Sequence, residues 1–327
     1  MHETASFFND CLRSGTLLGS LCAALIVPPV AWLLCRFSLP YIQGMKDDPT
    51  WQASLAAAAA SLPGATLLVI SAQAVIGALG TACLENPVGQ FVFGLFAVGL
   101  AACIVRAVGC AIGRARHLGL LIAASQRPSA RLALAASACG LGAREFDETT
   151  PVCALARSAP PLVLVSTGAL AVLADEELRA ALHHERAHAR RGDQVVATFV
   201  TFMADVLPLP SAEFIAMYRS AREFAADQFA LASTSAEHLA GALLSFAKGA
   251  RAVAGAPGFA DENAGVIQRL KALLADAPAP IHPNRKRTRI LIAAAMAALF
   301  VAALATPMIS AAGPAACPMP SAQRLVR

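Results

Sequence analysis

Charge is scarce in this chain: Asp, Glu, Lys and Arg make up 14% of its 327 residues, whereas 57% are hydrophobic. Soluble domains carry about 25% charged residues, so the shortage excludes an ordinary soluble globular protein and indicates a membrane protein. No internal repeat and no Gly-rich phosphate loop is visible, which sets aside repeat arrays and P-loop nucleotide enzymes. The nine cysteines contain no Cys-x-x-Cys pair, so neither a redox motif nor a zinc knuckle of that spacing is present. Cys22, Cys35, Cys103 and Cys110 lie in or at the ends of apolar runs and read as small core hydrophobes.

The apolar residues are gathered in blocks. Thr16 to Cys35 (TLLGSLCAALIVPPVAWLLC) is 20 residues without a charge, and at about 1.5 Å of rise per residue it spans the hydrocarbon layer. Pro28 and Pro29 are expected to kink it. A second span lies within Ala53 to Cys83 and is expected to be Leu62 to Cys83, and a third runs from Val88 to about Ile112, interrupted only by Arg106. A fourth, Ile290 to Gly313, follows a long interval that holds nearly all the acidic residues. The alternative for the first block, a cleaved signal peptide, is disfavoured by its acidic N-terminal flank and the lack of a small-residue cleavage site.

Positive residues beside short loops are retained on the cytoplasmic side. Arg114, Arg116, Arg127 and Arg131 follow the third span, and Arg285, Lys286, Arg287 and Arg289 precede the fourth. Both ends of the central interval are therefore expected to be cytoplasmic, with the N- and C-termini outside the inner (plasma) membrane. A cytoplasmic domain and an odd cysteine total also argue against a disulfide framework. The predicted organisation is an N-terminal membrane domain of three transmembrane helices (1–113), a cytoplasmic domain (114–289), a C-terminal transmembrane helix (290–313) and a short extracytoplasmic tail (314–327). The net charge of +5 sits mostly in the juxtamembrane clusters. It suits anionic lipid headgroups, so the lipid bilayer is an expected partner and nucleic acid is not.

Within the central interval, Leu162 to Ser166 (LVLVS), introduced by Pro160-Pro161 and closed by Gly168, reads as a strand. The following ADEELRAALHHERAHARRGD announces a helix. Asp175 is the expected N-cap, acids fill the first turn, Arg186, Arg190 and Arg191 fall near the last, and Gly192 suits a left-handed terminus. Val195 to Leu207 is apolar but short and contains Asp205, which fits a buried or membrane-skimming helix. Helical patterns resume in AEFIAMYRSAREFAADQFALAS, in Glu237 to Arg251 and in the amphipathic VIQRLKALL. The fold class is thus a mostly α membrane protein of about four transmembrane helices, with a cytoplasmic α+β domain carrying a small sheet.

The helix announced between Asp175 and Gly192 carries His184 and His188 four apart, on one face and a turn from each other, with Glu185 beside them. This is HExxH. Two neutral imidazoles at about 2.0 to 2.1 Å leave Zn²⁺ enough positive charge to bring a bound water towards a pKa of about 7. The neighbouring carboxylate can accept its proton and pass it to a leaving amine. Catalytic zinc keeps three protein ligands, and no HExxHxxGxxH is present, so the third ligand is expected to be a carboxylate on a later helix. Glu223 is the best candidate, with Asp227 one turn on to orient a histidine. Glu213 and Glu237 are weaker candidates because neither has an acidic partner at that spacing. His183 points away from His184 on the helix and reads as a polar neighbour, and His117, His238 and His282 are assigned nothing.

HHERAHARRGD followed by AREFAAD resembles the gluzincin pattern HExxH…ExxxD of integral-membrane zinc metallopeptidases, and most resembles the BlaR/MecR-type family. The resemblance covers Pro160 to about Leu231 well and extends loosely to three spans, a cytosolic protease domain and a last span. It implies a gluzincin-like domain with one zinc ion per chain, His184, His188 and Glu223 as ligands, Glu185 as general base and acid, and Asp227 as the orienting residue. It also implies that Leu162, Val163, Leu164, Val165 and Ser166 form an edge strand on which substrate backbone pairs. The implied partner is a protein or peptide substrate, a transcriptional repressor among the candidates. Members that sense β-lactams carry a penicillin-binding domain after the last span; only 14 residues follow Gly313 here, so antibiotic sensing is not implied. Tyr218, Arg219 and Arg222 are the nearby candidates to stabilise an oxyanion.

The expected function is a zinc-dependent endopeptidase of the membrane's cytoplasmic face, engaged in regulatory proteolysis or signalling. Two alternatives stand beside it: a housekeeping quality-control or CAAX-type metalloprotease, and a non-catalytic signalling scaffold that keeps a metal for structure alone.

Overall fold

The three N-terminal apolar blocks form helices α1 (Leu17–Gln43), α2 (Pro49–Leu79) and α3 (Pro87–Ala124), each long and apolar enough to cross a membrane. The computed structural model describes residues 17–45, 48–79, 87–156, 160–207, 209–253, 260–275, 290, 292–298, 300 and 301. Helix α1 continues through Pro28, Pro29 and Pro40. Most of the fourth apolar segment, and the tail after it, lie outside the described residues. The described part is helical; Met296 joins the buried core that holds residues of α1 and α2, and Ile292, Ala293 and Phe300 pack against that core.

Small side chains decide how the helices meet. The alanine-rich first half of α2 lets neighbours approach closely. Leu55, Ala56, Ala59 and Ala60 share one core with Cys35, Leu39 and Ile42 of α1. Val200 of α7 (Asp193–Val206) and Phe214, Met217 and Tyr218 of α8 (Ala212–Ala230) complete it. At Gly64 the contact is so tight that a Cβ would lie 2.1 Å from the Met203 carbonyl oxygen. The apolar stretch from Val195 is therefore helical as far as Val206 and braced against α2 and α3, with Val195, Val196 and Phe199 left exposed.

Helix α3 is too long to lie wholly in a bilayer: its 35-residue apolar stretch rises about 50 Å against a hydrocarbon thickness of about 30 Å. Phe91, Leu95 and Val98 are exposed, as lipid-facing residues are, whereas Leu118, Leu121 and Ile122 pack on the sheet beside Phe146 and Leu164. The helix thus passes unbroken from the apolar layer into the polar domain. Arg106 donates to the Asp205 carbonyl and Arg114 pairs with the Asp205 carboxylate at 2.9 Å, tying α3 to α7.

After α4 (Ala130–Ala138) the chain forms a three-stranded sheet of β1 (Gly142–Phe146), β2 (Cys153–Ala156) and β3 (Leu162–Ser166) in the order β1-β3-β2. Strand β3 is parallel to β1 and antiparallel to β2. Leu162–Ser166 is therefore the central strand, and the expectation that it forms an edge is corrected. Both sides of its backbone pair with neighbours, and Val163, Leu164, Val165 and Ser166 are all buried. A continuous apolar run of this kind belongs to a strand covered on both faces. The short α5 (Thr167–Val172) leads to α6 (Asp175–Arg191), and α9 (Ala236–Val253) and α10 (Ala260–Leu273) complete the domain.

Candidate metal centre

The sequence of α6 sorts its faces. Leu178, Ala181 and Leu182 pack into the core formed by Val163, Val165, Leu132 and Ala136, which fixes the rotation of the helix. His184 and His188 are thereby turned towards α8, while Glu185 lies closer to β2. The helix starts one residue earlier than the caps suggested. Ala174 is the N-cap, and Glu177 reaches back to accept its N–H at 3.0 Å, whereas Asp175 is the first helical residue and pairs with Arg131 at 2.6 Å. Gly192 ends α6 at φ 65°, in the left-handed region expected of it.

That turn has a consequence that the motif alone did not reveal. It folds the first residue of α7 back onto α6, placing Asp193 Oδ2 2.7 Å from His188 Nδ1. On the other histidine, His184 Nδ1 lies 2.9 Å from Asp227 Oδ1, off the line of an ideal hydrogen bond. Each imidazole thus has a carboxylate on its outer nitrogen, the arrangement that fixes the tautomer and orientation of metal-binding histidines.

The inner nitrogens converge. His184 Nε2 and His188 Nε2 are 3.1 Å apart, Glu223 Oε2 is 3.1 Å from His184 Nε2, and Glu223 Oε1 is 3.5 Å from His188 Nε2. A tetrahedral zinc site with bonds of about 2.0 to 2.1 Å separates its ligand atoms by about 3.3 Å; the two imidazole nitrogens are at about that spacing, each faces a different oxygen of Glu223, and one donor atom from each of the three residues lies within 4.8 Å of the others. The chemistry of the set agrees: with both Nδ1 atoms directed at carboxylates, two imidazole lone pairs and a carboxylate face a common point, and a shared cation relieves their repulsion. His184, His188 and Glu223 could therefore hold a metal ion.

Electrostatics follow from burial and pairing. Burial opposes protonation of His184, but Asp227 and Glu223 outweigh it, and the pKa of the imidazole stands raised to about 9 for the polypeptide alone. Burial pushes the Glu223 carboxyl up, yet bonds to His184 and His188 hold it well below the ordinary range. Glu185 is pushed up, chiefly by burial, although the two histidines and the Leu155 backbone N–H act the other way. A buried carboxyl with a raised pKa beside a cation site suits a group that takes and returns protons.

Three more residues at the site were not singled out as ligands or orienting groups. Arg222 Nη2 lies 2.9 Å from Glu223 Oε1, and its Nε is buried with no hydrogen-bond partner among the described residues. Of the expected oxyanion candidates, Arg219 is exposed, Tyr218 is buried with its hydroxyl 3.5 Å from the Asp193 carbonyl, and Arg222 alone is paired with Glu223. Gln194 donates to the Leu155 carbonyl on β2. Arg269, from α10, holds Asp227 through two hydrogen bonds of 2.6 and 2.7 Å. The weaker carboxylate candidate Glu213 lies elsewhere, pairing with Arg36 of α1, and Glu237 stands at the start of α9. His183 faces Cys139 at 3.8 Å, away from the centre. No family model, curated protein or solved structure matches this chain, so the family resemblance rests on the motif residues alone.

Proposed function

We propose that this chain is an integral-membrane zinc-dependent endopeptidase, with a gluzincin-like domain of the BlaR/MecR type and its site at the cytoplasmic face. One observation carries the reading: three donor atoms converge at metal-ligand spacing, both histidines are buttressed by carboxylates, and a buried carboxyl stands beside them. A zinc ion held by His184, His188 and Glu223 would supply Lewis acidity, polarising a peptide carbonyl and acidifying a water molecule.

The protein's own groups account for the other steps. Glu185 takes a proton from the attacking water on its carboxylate and later hands it to the departing amine nitrogen, a transfer eased by burial that raises its pKa above the ordinary carboxylate value. Arg222 offers N–H donors next to Glu223, placed to stabilise negative charge on the carbonyl oxygen as it develops. Asp193 and Asp227 keep the imidazoles from rotating. Extended substrate pairs with the outer edge of β2, which adjoins α6 and has no further strand beside it among the described residues.

The membrane spans give the site its setting. The α7–α8 hairpin carries Asp193 at one end and Glu223 near the other, and it packs on α2. Glu223 lies 11 residues along α8 from its start at Ala212, or about 16 Å. This packing on a candidate span supports a substrate close to the bilayer, such as the juxtamembrane part of a membrane protein or a regulator held there.

Glu185→Gln in the full-length chain is the test. The proteolytic reading expects zinc content to stay near one ion per chain while peptide-bond hydrolysis falls by about 10²- to 10⁴-fold. Unchanged cellular function in that variant would instead favour the scaffold reading.

A further inference from the structure

Arg269 reaches the centre from outside the helices that carry the motif. It lies on α10, 42 residues beyond Asp227 in sequence, and its side chain is 13% exposed. All three of its guanidinium nitrogens have work at the site. Nε–H donates to Asp227 Oδ2 at 2.6 Å, Nη2–H donates to Asp227 Oδ1 at 2.7 Å, and Nη1 lies 3.4 Å from Glu223 Oε2. Asp227 Oδ1 is the same atom that lies 2.9 Å from His184 Nδ1, and Glu223 Oε2 is the same atom that lies 3.1 Å from His184 Nε2. Arg269, Asp227, His184 and Glu223 thus close a ring.

From this ring we infer that Arg269 is a positioning residue of the metal centre, setting at once the orienting carboxylate of one histidine and the third ligand. The inference rests on the metal-centre reading above and assigns α10 a part in it. Two effects compete. A nearby cation repels a metal ion, which favours binding once Arg269 is removed. Against this, Asp227 is 4% exposed on its side chain, and a buried carboxylate that loses its fork of two charge-assisted bonds no longer has a defined direction. Outer-shell partners typically contribute about 10- to 100-fold in metal affinity, so the loss of orientation governs. Lysine cannot replace the fork, because one ammonium cannot hold Asp227 in two places and reach Glu223 as well.

The test titrates Co²⁺ into full-length detergent-solubilised chains and reads affinity together with the visible absorption spectrum of the bound ion. Arg269→Ala is expected to weaken Co²⁺ about 10- to 100-fold and to alter the spectrum. Arg269→Lys is expected to fall between it and the unaltered chain, and it serves if the alanine variant does not fold. In an Asp227→Asn background, Arg269→Ala should cost clearly less than it does in the unaltered chain, because only its contact with Glu223 is then left to lose. Unchanged affinity and spectrum in Arg269→Ala would overturn the inference, as would a full additive loss on Asp227→Asn. An unaltered chain that binds no Co²⁺ would overturn the metal-centre reading and this inference together.

Discussion

His184 and His188 turn their Nε2 atoms towards each other at 3.1 Å, and each keeps its Nδ1 against a different aspartate. Helical spacing places the rings one turn apart, but the two carboxylates come from α8 and α7, so the pair depends on three helices meeting.

Glu223 completes the donor set, and its loss should be felt in metal content before anything else. Glu223→Ala is expected to remove most bound zinc, with affinity falling by more than the about 100-fold that marks the upper range for outer-shell changes. Elemental analysis of the purified chain, set against its thermal melting, checks this. Zinc that stays near one ion per chain would require a different third ligand.

Asp193 should matter nearly as much as Asp227, although it lies outside HExxH. Asp193→Asn leaves the turn at Gly192 in place but weakens the bond that fixes the tautomer of His188. Metal affinity is expected to drop about 10- to 100-fold, measured by competition with a chelating dye.

In the proposed endopeptidase, the role of Arg222 is to act on charge that develops during reaction. Arg222→Lys is expected to lower kcat about 10²- to 10³-fold with little change in KM, while zinc content is kept, because an ammonium can still neutralise Glu223 without offering a planar set of donors. Steady-state kinetics on a peptide substrate separates the two parameters; a raised KM at constant kcat would assign Arg222 to binding instead.

Gly64 couples the membrane helices to the site. A Cβ there would meet the backbone of Met203, which cannot swing aside as a flexible side chain can. Gly64→Ala is expected to destabilise the chain by about 1–3 kcal/mol, read as a lower melting temperature in detergent. Zinc affinity should weaken as well, since α7 also carries Asp193. Gly113→Ala, where a Cβ meets nothing within 4 Å, is the control.

The apolar blocks, the helix of residues 175–191 and the i, i+4 pairs His184/His188 and Glu223/Asp227 were all legible in the amino-acid order, because span length, capping and helical phase are local properties. Even there, Asp193 went unassigned though it lies five residues past His188, since its role depends on a left-handed turn that reverses the chain. LVLVS announced a strand but not its place in the sheet, because centre and edge differ only in what lies alongside. Arg269 looks like any basic residue of an amphipathic helix, and nothing near it in sequence marks its fork onto Asp227. Periodicity and spacing thus settled which side chains share a helix face. Which carboxylates buttress which imidazole, which strand is left open and which arginine reaches the centre were decided by packing between segments tens of residues apart, where hydrogen bonds and burial act through space and leave no local trace.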